Sequence, residues 1–330
     1  MNLRAFRPLA ALLAALCCAP VNAQRPAPVP VIFDTDMGND IDDALALATL
    51  HALTTRGECR LLAVTVTKDN PWSAPYIDAV NTFYGRPDIP VGMVKTGGVT
   101  PQDSNMIRLP AERKRPDGSL VYPRRLASGA DAPDAVEVLR QALSGAADGS
   151  VAIVQVGFST NLAHLLAAPG GADLARRKVR LLVMMAGNFV KPDPEYNVKM
   201  DIPSARKLFN EWPGEIVASG YEIGTSMLFP GASIVSDFAW VPDHPVAEAY
   251  RDYQKFPYDR PTWDITAALY AVRPGRGYFS LSAPGTIQVD DKGSTTLTPS
   301  PTGRHRYLTM NDTQRARALE AMILLSSQPK

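Results

Sequence analysis

Five aspartates fall within ten residues near the start of the chain: Asp34, Asp36, Asp40, Asp42 and Asp43. Packing so many carboxylates together is electrostatically costly, and either a bound cation or protonation of one carboxyl group relieves the repulsion. Oxygen ligands in this number suit Ca²⁺ or Mg²⁺, and Ca²⁺ accepts about six to eight of them. Zinc is a poor fit because no His or Cys lies nearby. The run therefore predicts a site for a hard divalent cation.

Three other interpretations of this run are weaker. A solvated turn that caps a helix needs one or two aspartates and not five. An EF-hand requires Glu at the twelfth position, and counting from Asp34 this position is Leu45. An aspartyl-nucleophile phosphatase also places Asp-x-Asp after its first strand, but it needs a hydroxyl residue soon afterwards, and Met37-Gly38-Asn39 supplies none. A metal-dependent phosphatase stays open as an alternative.

The elements that must position these residues alternate between strand and helix. Apolar patterns predict strands at 31–34, 61–67, 89–94, 151–156, 179–185 and 216–219, and helices at 43–56, 76–84, 135–143, 161–167, 203–209, 246–256, 265–272 and 313–325. Such alternation predicts an α/β fold with a single open, mostly parallel sheet flanked by helices. Residues 279–289 and 294–299 predict a C-terminal antiparallel hairpin. The acidic run follows the first strand, and such sheets bind ligands at the carboxyl ends of their strands.

One stretch interrupts this alternation. Residues 96–131 are polar, basic and rich in proline, and we interpret them as a long surface loop. A substrate-gating role for this loop is an alternative. No linker divides the rest of the chain, so residues 31–328 are predicted to form one domain.

The first 23 residues have the pattern of a secretory signal peptide. Arg4 and Arg7 give a basic start, an apolar run covers 9–19, and small residues precede a cleavage site near Ala23. The apolar run is too short to span a bilayer. Residues 24–30 are then a Pro-rich lead-in, and the mature protein is expected to be exported, to the periplasm or outside the cell. Only Cys59 remains after cleavage, so no internal disulfide can form.

The bulk composition narrows the class of partner. The chain has 330 residues, of which 45% are hydrophobic and 20% charged, with a net charge of +1. These values are typical of a soluble globular protein and argue against binding to nucleic acid or to an anionic membrane. No segment after the signal peptide predicts a membrane span. We therefore expect a small-molecule partner.

Residues 31–47 resemble the N-terminal signature of the inosine/uridine-preferring nucleoside hydrolases. That signature is an Asp-x-Asp-x-Gly run followed by Asp-Asp-Ala and an apolar helix, and this chain has two extra residues before the pair of aspartates. The resemblance aligns Asp36, Asp42 and Asp43 with the functional acids of the family, and it leaves Asp40 unassigned.

Further blocks between residues 31 and 310 resemble the same family. The second-strand segment ends near Asn70, and residues 151–162 resemble the segment whose backbone carbonyl, here that of Val156, binds calcium. Asn188, Glu195 and Asn197 fall in a stretch that resembles the ribose-binding region. Residues 261–269 resemble the C-terminal block that supplies the last calcium carboxylate, here Asp264.

The resemblance implies a Rossmann-like fold and a calcium-dependent hydrolase that releases free base and ribose from ribonucleosides. It implies four ligands for Ca²⁺: Asp36, Asp43, Asp264 and the Val156 carbonyl. Asp36 would also be the general base that activates a calcium-bound water. The implied substrate-binding residues are Asp42, Asn70, Asn188, Glu195, Asn197 and Trp263. Members of the family often form homodimers or homotetramers, so a homo-oligomer is expected.

Trp263 is the main departure from the family pattern. Well-known members have a His at this position that protonates the leaving base, and an indole cannot act as a general acid. The Trp263 ring could instead stack on a base, or it could belong to the core. The general acid and the base preference therefore stay open. A non-catalytic exported protein that binds calcium or ribose is a second alternative.

Overall fold

The computed structural model describes residues 26–99 and 105–330. The predicted signal peptide lies outside the described residues. The strands are β1 (Val29–Thr35), β2 (Cys59–Val66), β3 (Val91–Met93), β4 (Val151–Gln155), β5 (Val179–Met185), β6 (Ile216–Ser219), β7 (Leu228–Phe229), β8 (Arg260–Pro261), β9 (Ser280–Leu281), β10 (Gly285–Val289), β11 (Thr295–Pro299) and β12 (His305–Thr309).

Helices connect most of these strands. Their bounds are α1 (Asp42–Thr55), α2 (Ser73–Phe83), α3 (Asn105–Glu112), α4 (Ala135–Ser144), α5 (Thr160–Ala167), α6 (Gly171–Lys178), α7 (Tyr196–Met200), α8 (Ile202–Glu211), α9 (Tyr221–Thr225), α10 (Gly231–Ser236), α11 (Pro245–Tyr253), α12 (Trp263–Val272) and α13 (Asp312–Ser326). Among the described residues, none of these helices has the length and apolar composition of a membrane span.

The main sheet has the strand order β11-β10-β12-β6-β5-β4-β1-β2-β3. The strands from β12 to β3 pair in parallel, and β10 and β11 form the antiparallel hairpin. The chain runs from β1 outward to β3, then returns to β4 and runs outward on the other side. The sheet therefore reverses its strand order between β1 and β4, where open α/β sheets bind their ligands.

Both faces of the sheet are buried. Val31 and Phe33 pack into one hydrophobic core with α1 and α12, whereas Ile32 packs into a second core with α4, α5 and α8. Alternate side chains of a strand point to opposite faces, so the continuous apolar run of β1 suits a strand with helices on both sides. The predicted open, mostly parallel sheet with flanking helices and a C-terminal antiparallel hairpin is confirmed.

Two parts of the sequence prediction are wrong. The supposed surface loop at 96–131 contains α3, whose Met106 and Ile107 are buried against the core, because its apolar residues share one helical face. The second error is that the prediction omits β12, which pairs in parallel with β6 and joins the hairpin to the rest of the sheet. Its five residues include His305 and Arg306, so no apolar run marks it in the sequence.

Candidate active site

A cavity of about 300 Å³ opens where β1, β4 and β5 end. Four buried aspartates lie in its wall: Asp36, Asp42, Asp43 and Asp264. The other residues of the wall are Asn39, Asp40, Val156, Met185, Glu195, Tyr196, Asn197, Tyr221, Tyr253, Arg260 and Trp263. Gly38 permits the sharp turn after β1, because its φ of 106° is a conformation that other residues rarely adopt. The run of aspartates therefore turns from the end of β1 into the start of α1 along the cavity wall.

Hydrogen bonds fix the orientation of the carboxylates. The Thr35 hydroxyl donates to Asp43 Oδ1, and the same hydroxyl oxygen accepts from the Met37 amide at 3.1 Å. The backbone amide of Asp264, in the first turn of α12, donates to Asp42 Oδ2 at 3.0 Å. This last bond joins the turn after β1 to a helix more than two hundred residues later. The acidic groups are thus held together by the tertiary fold and not by their sequence spacing alone.

Some carboxylate oxygens have no donor. Asp36 Oδ2 and Asp43 Oδ2 are buried, and no described residue donates a hydrogen bond to either atom. One oxygen from each of Asp42, Asp43 and Asp264 lies within 4.8 Å of the others. A buried carboxylate oxygen without a partner is costly, and a hard cation compensates it. The donor set therefore fits a divalent metal ion that prefers oxygen.

Burial dominates the ionisation of these groups. It raises the pKa of Asp36 to about 7, and neighbouring Lys68 opposes this rise. Burial and repulsion between the carboxylates raise the pKa values of Asp42, Asp43 and Asp264 well above the ordinary range. A cation bound among them would favour their ionised forms.

Lys68 places a positive charge close to the acidic cluster. The side chain is buried at the carboxyl end of β2, and its Nζ donates to Asn39 Oδ1 at 3.1 Å. Burial lowers the pKa of this ammonium group, whereas Asp36 and Asp43 oppose the decrease. The ammonium therefore offsets part of the negative charge of the site.

The segment that resembles the ribose-binding region forms another part of the wall. The Glu195 carboxylate caps α7, because it accepts hydrogen bonds from the amides of Asn197 and Val198 at 2.8 and 3.2 Å. The Asn197 amide group donates to the carbonyl oxygens of Val156 and Met185 at 2.7 and 3.1 Å. These bonds tie the chain after β5 to the ends of β4 and β5. No described residue donates to Asn197 Oδ1, which leaves an acceptor for a ligand.

Another part of the wall combines aromatic rings with an arginine. The Trp263 ring stacks on Tyr221 with a centroid distance of 5.6 Å, and its Nε1 donates to the Tyr221 carbonyl at 2.9 Å. The Arg260 guanidinium pairs with Asp40 through two hydrogen bonds, from Nε at 2.9 Å and from Nη2. It lies 5.1 Å from the ring centre of Tyr253 and 5.3 Å from that of Trp263. This wall has a flat apolar surface next to a fixed positive charge.

The cavity brings together most of the residues selected from the sequence. They are Asp36, Asp42, Asp43, Val156, Glu195, Asn197, Trp263 and Asp264. Asn70 and Asn188 do not line it. The Asn70 Oδ1 accepts from the Trp72 amide at 2.9 Å, and the Asn188 Oδ1 accepts from the amides of Val190 and Lys191. Both side chains hold local turns in this structure.

The metal ligands expected from the sequence overlap with the trio that the structure brings closest. Asp43 and Asp264 belong to both sets. Asp42, expected to bind substrate, completes the trio, whereas Asp36 lines the same cavity outside it.

No histidine reaches the cavity. All four histidines of the chain lie elsewhere: His51, His164, His244 and His305. His51 hydrogen-bonds Asn81, and His244 hydrogen-bonds Tyr84, both in the interior. The missing acid at position 263 is therefore not supplied by a histidine from another segment of the described chain.

Sequence reasoning missed several residues of the wall. Asn39, Tyr253 and Arg260 come from three separate segments, and none has a role in the aligned blocks. Of these three residues, Arg260 was the easiest to select from the sequence, because it stands four residues before Asp264. A positively charged side chain so close in sequence to a predicted metal ligand indicates that an acidic residue pairs with it. In the structure this residue is Asp40.

Residues 31–321 match the sequence profile of the inosine-uridine preferring nucleoside hydrolase family. The match covers most of the chain, so this protein belongs to that family and is an N-glycosyl hydrolase. Ribonucleoside hydrolysis is the general activity of the family, and the substrate is a small molecule. A comparison with curated proteins found no match.

Solved structures share the fold. A plant nucleoside hydrolase superposes with a TM-score of 0.68 at 22% identity, covering 92% of this chain and 100% of its own. An inosine-uridine preferring nucleoside hydrolase from Bacillus anthracis gives 0.68 at 17% identity, with 91% and 99% covered. An inosine-guanosine nucleoside hydrolase gives 0.70 at 18% identity, again with 91% and 99% covered. This protein therefore matches almost the full length of each of these solved chains.

Proposed function

We propose that the protein hydrolyses the N-glycosidic bond of purine or pyrimidine ribonucleosides, with Ca²⁺ as its metal and Asp36 as the general base. The observation that carries this proposal is the cavity wall, where four buried aspartates meet and two of their fully buried oxygens lack a donor among the described residues. A site with so many uncompensated oxygens suits a hard cation and a ligand rich in hydroxyl groups.

Asp42, Asp43 and Asp264 would hold the metal, together with the Val156 carbonyl and Asp36. Ca²⁺ is proposed over Mg²⁺ because the cavity offers many protein oxygens, whereas Mg²⁺ usually retains several waters. When bound, such an ion supplies Lewis acidity toward a water molecule and toward vicinal hydroxyls. The Asn197 side chain donates to the Val156 carbonyl and so fixes its direction.

Asp36 is proposed as the base because it lies at the end of β1 with one oxygen unbonded by the described residues. It would take the proton of the water that attacks the anomeric carbon. The transition state would have oxocarbenium character, which the surrounding carboxylates stabilise electrostatically.

The sugar would lie between the aspartates and the segment that contains Glu195 and Asn197. Asn197 Oδ1 is proposed as an acceptor for a ribose hydroxyl, and Asp42 lines the same cavity. The base would then extend toward Trp263 and Tyr221, whose stacked rings offer a flat surface.

Release of ribose from inosine, guanosine, adenosine, uridine and cytidine tests this proposal. We expect calcium-dependent release from at least one nucleoside, and loss of release when the protein is treated with a chelator. The Asp36→Asn variant should still bind nucleoside while turnover falls by about 10²-fold or more. Nucleoside binding without turnover by the wild-type protein, with calcium binding verified, would favour the non-catalytic alternative and contradict the enzyme.

We also propose that residues 1–23 direct export and are removed, since their basic start, apolar run and small residues suit a signal peptidase. N-terminal sequencing of protein recovered from the periplasm and the medium tests this, and a retained N-terminus would contradict it. A homodimer or homotetramer is proposed from the family resemblance alone. Analytical ultracentrifugation would show a monomer if this is wrong.

A further inference from the structure

Arg260 lies in the wall of the cavity. Asp40 fixes its guanidinium through two hydrogen bonds, and Nη2 also donates to the Tyr253 hydroxyl at 3.1 Å. The same group lies next to the rings of Tyr253 and Trp263. Its position is therefore set on three sides by neighbouring side chains.

One edge of this guanidinium has no hydrogen-bond acceptor among the residues that the structure describes. Nε and Nη2 are engaged, whereas no described residue accepts a hydrogen bond from Nη1. Arg260 is only partly buried and belongs to the wall of the cavity. A planar donor edge held by a carboxylate is suited to bind acceptor atoms of a flat ligand.

The cleavage of an N-glycosidic bond requires that the leaving base be protonated or stabilised as an anion. When the bond breaks, the leaving nitrogen takes the bonding electron pair, so the base becomes negatively charged unless it is protonated in the same step. No histidine lines the cavity to donate that proton, and Trp263 stands where well-known members of the family have one.

We propose that Arg260 binds the leaving nucleobase and stabilises the negative charge that develops on it. This inference rests on the proposed hydrolysis. The water oxygen forms the new bond to the anomeric carbon, and its proton goes to Asp36. The base departs with the electron pair, hydrogen-bonded to Nη1 while it lies against the indole of Trp263, and it then takes a proton from solvent. Arg260 acts as a fixed cation and not as an acid, because it pairs with Asp40 and keeps its own proton.

The charges around Arg260 favour a base over a phosphate as its ligand. A phosphate group would lie close to Asp40 and Asp42 and would be repelled by both. A nucleobase brings no full charge in the ground state and offers ring nitrogen and carbonyl acceptors. The stabilisation therefore increases as the bond breaks, which lowers the barrier without tight binding of the substrate.

The test compares two leaving groups in the same protein. Inosine and uridine have bases that leave poorly as anions, whereas 4-nitrophenyl ribofuranoside releases a stable anion. We expect Arg260→Gln to lower kcat for the nucleosides by about 10²-fold, as the loss of a preorganised charged donor does in other active sites. The same change should lower kcat for the nitrophenyl riboside by less than tenfold. Arg260→Lys, which keeps the charge but loses the planar fork, should recover part of the nucleoside activity.

Two further variants distinguish a catalytic effect of Arg260→Gln from a folding defect. Arg260→Gln leaves Asp40 without its partner, so the Arg260→Gln/Asp40→Asn double variant provides a neutral pair in the same place. Arg176→Gln removes an exposed arginine that pairs with Asp173 and serves as the control, with both substrates expected unchanged. Circular dichroism and the unfolding midpoint verify the fold of each.

The outcomes separate this inference from the proposed function. Equal losses on the nucleosides and on the nitrophenyl riboside, or no loss on either, would overturn the role of Arg260 and leave the hydrolase proposal intact. A wild-type protein that cleaves neither kind of substrate would overturn the hydrolase proposal itself, and the role of Arg260 with it. A loss confined to the nucleosides supports the inference.

Discussion

Gly157, two residues after β4, allows the backbone there to lie close to the end of β1 beside the cavity. A Cβ atom at this position would lie 2.5 Å from the Asp36 nitrogen, 2.5 Å from Thr67 Oγ1 and 2.7 Å from the Thr35 carbonyl carbon. Two of these three neighbours are backbone atoms, which cannot rotate away. Gly157→Ala therefore has to separate the chain at Val156 from the chain at Asp36.

The required movement is about 1 Å, because an ordinary carbon contact needs about 3.5 Å or more. Overpacking of this kind costs about 1–3 kcal/mol of unfolding free energy. A displacement of about 1 Å at a reacting group lowers turnover by about 10²-fold. We expect kcat/KM for the best nucleoside to fall by about that factor while the protein still folds.

Ribose release and urea unfolding, measured on the same preparations, test this prediction. Gly275→Ala is the matched control, because nothing lies within 4 Å of an added Cβ there and Gly275 has no positive φ. The control should keep wild-type activity and stability. If Gly157→Ala retains activity within threefold of wild type, the close approach of β4 to Asp36 does not position the catalytic groups, and the reasoning fails.

Three other predictions concern the metal, the buried His244 and the proposed sugar contact of Asn197. Ca²⁺ at about 100 times its Kd should stabilise the protein by about 2.7 kcal/mol in thermal unfolding, and Asp264→Asn should remove most of this gain. Burial lowers the pKa of His244 in the folded protein to about 3. As the pH falls below about 6.5, this imidazole therefore binds a proton in the unfolded state but not in the folded state, and the free energy of unfolding decreases. His244→Asn, which can still cap α11, should therefore lose about 2 kcal/mol less between pH 6.5 and 5.0 in urea unfolding; an unchanged pH dependence would contradict this. Asn197→Leu should raise KM and lower calcium affinity in titration calorimetry, because the Val156 carbonyl loses its donor.

The clustering of the aspartates in the candidate site could be predicted because three of them come from one short segment. Asp36, Asp42 and Asp43 follow a continuous apolar strand, and the carboxyl end of such a strand is where an α/β sheet binds ligands. Val156 and Asp264 could be added because their segments resemble family blocks. Each of these residues lies at the end of a strand or the start of a helix, where local pattern determines position.

Side-chain direction could not be predicted in the same way. Asn70 and Asn188 lie in segments with the expected order, yet their side chains turn back to cap the local backbone. Asn and Asp side chains often form such turns, and the sequence does not show whether a ligand or a backbone amide receives them. Lys68 was missed for a related reason, since a lysine after a strand usually lies in solvent and this one is buried.

The charges of the cavity explain why it can favour a transition state over a nucleoside. Apart from the Asp40–Arg260 ion pair, the acidic groups of the cavity are the four aspartates and Glu195. Lys68 and a divalent cation together supply three positive charges against these five groups. The site would stay negative when the acidic groups are ionised, and a neutral ribose gains little from that field. A ribosyl group that becomes positive gains much more, so the excess of carboxylates acts mainly on the transition state.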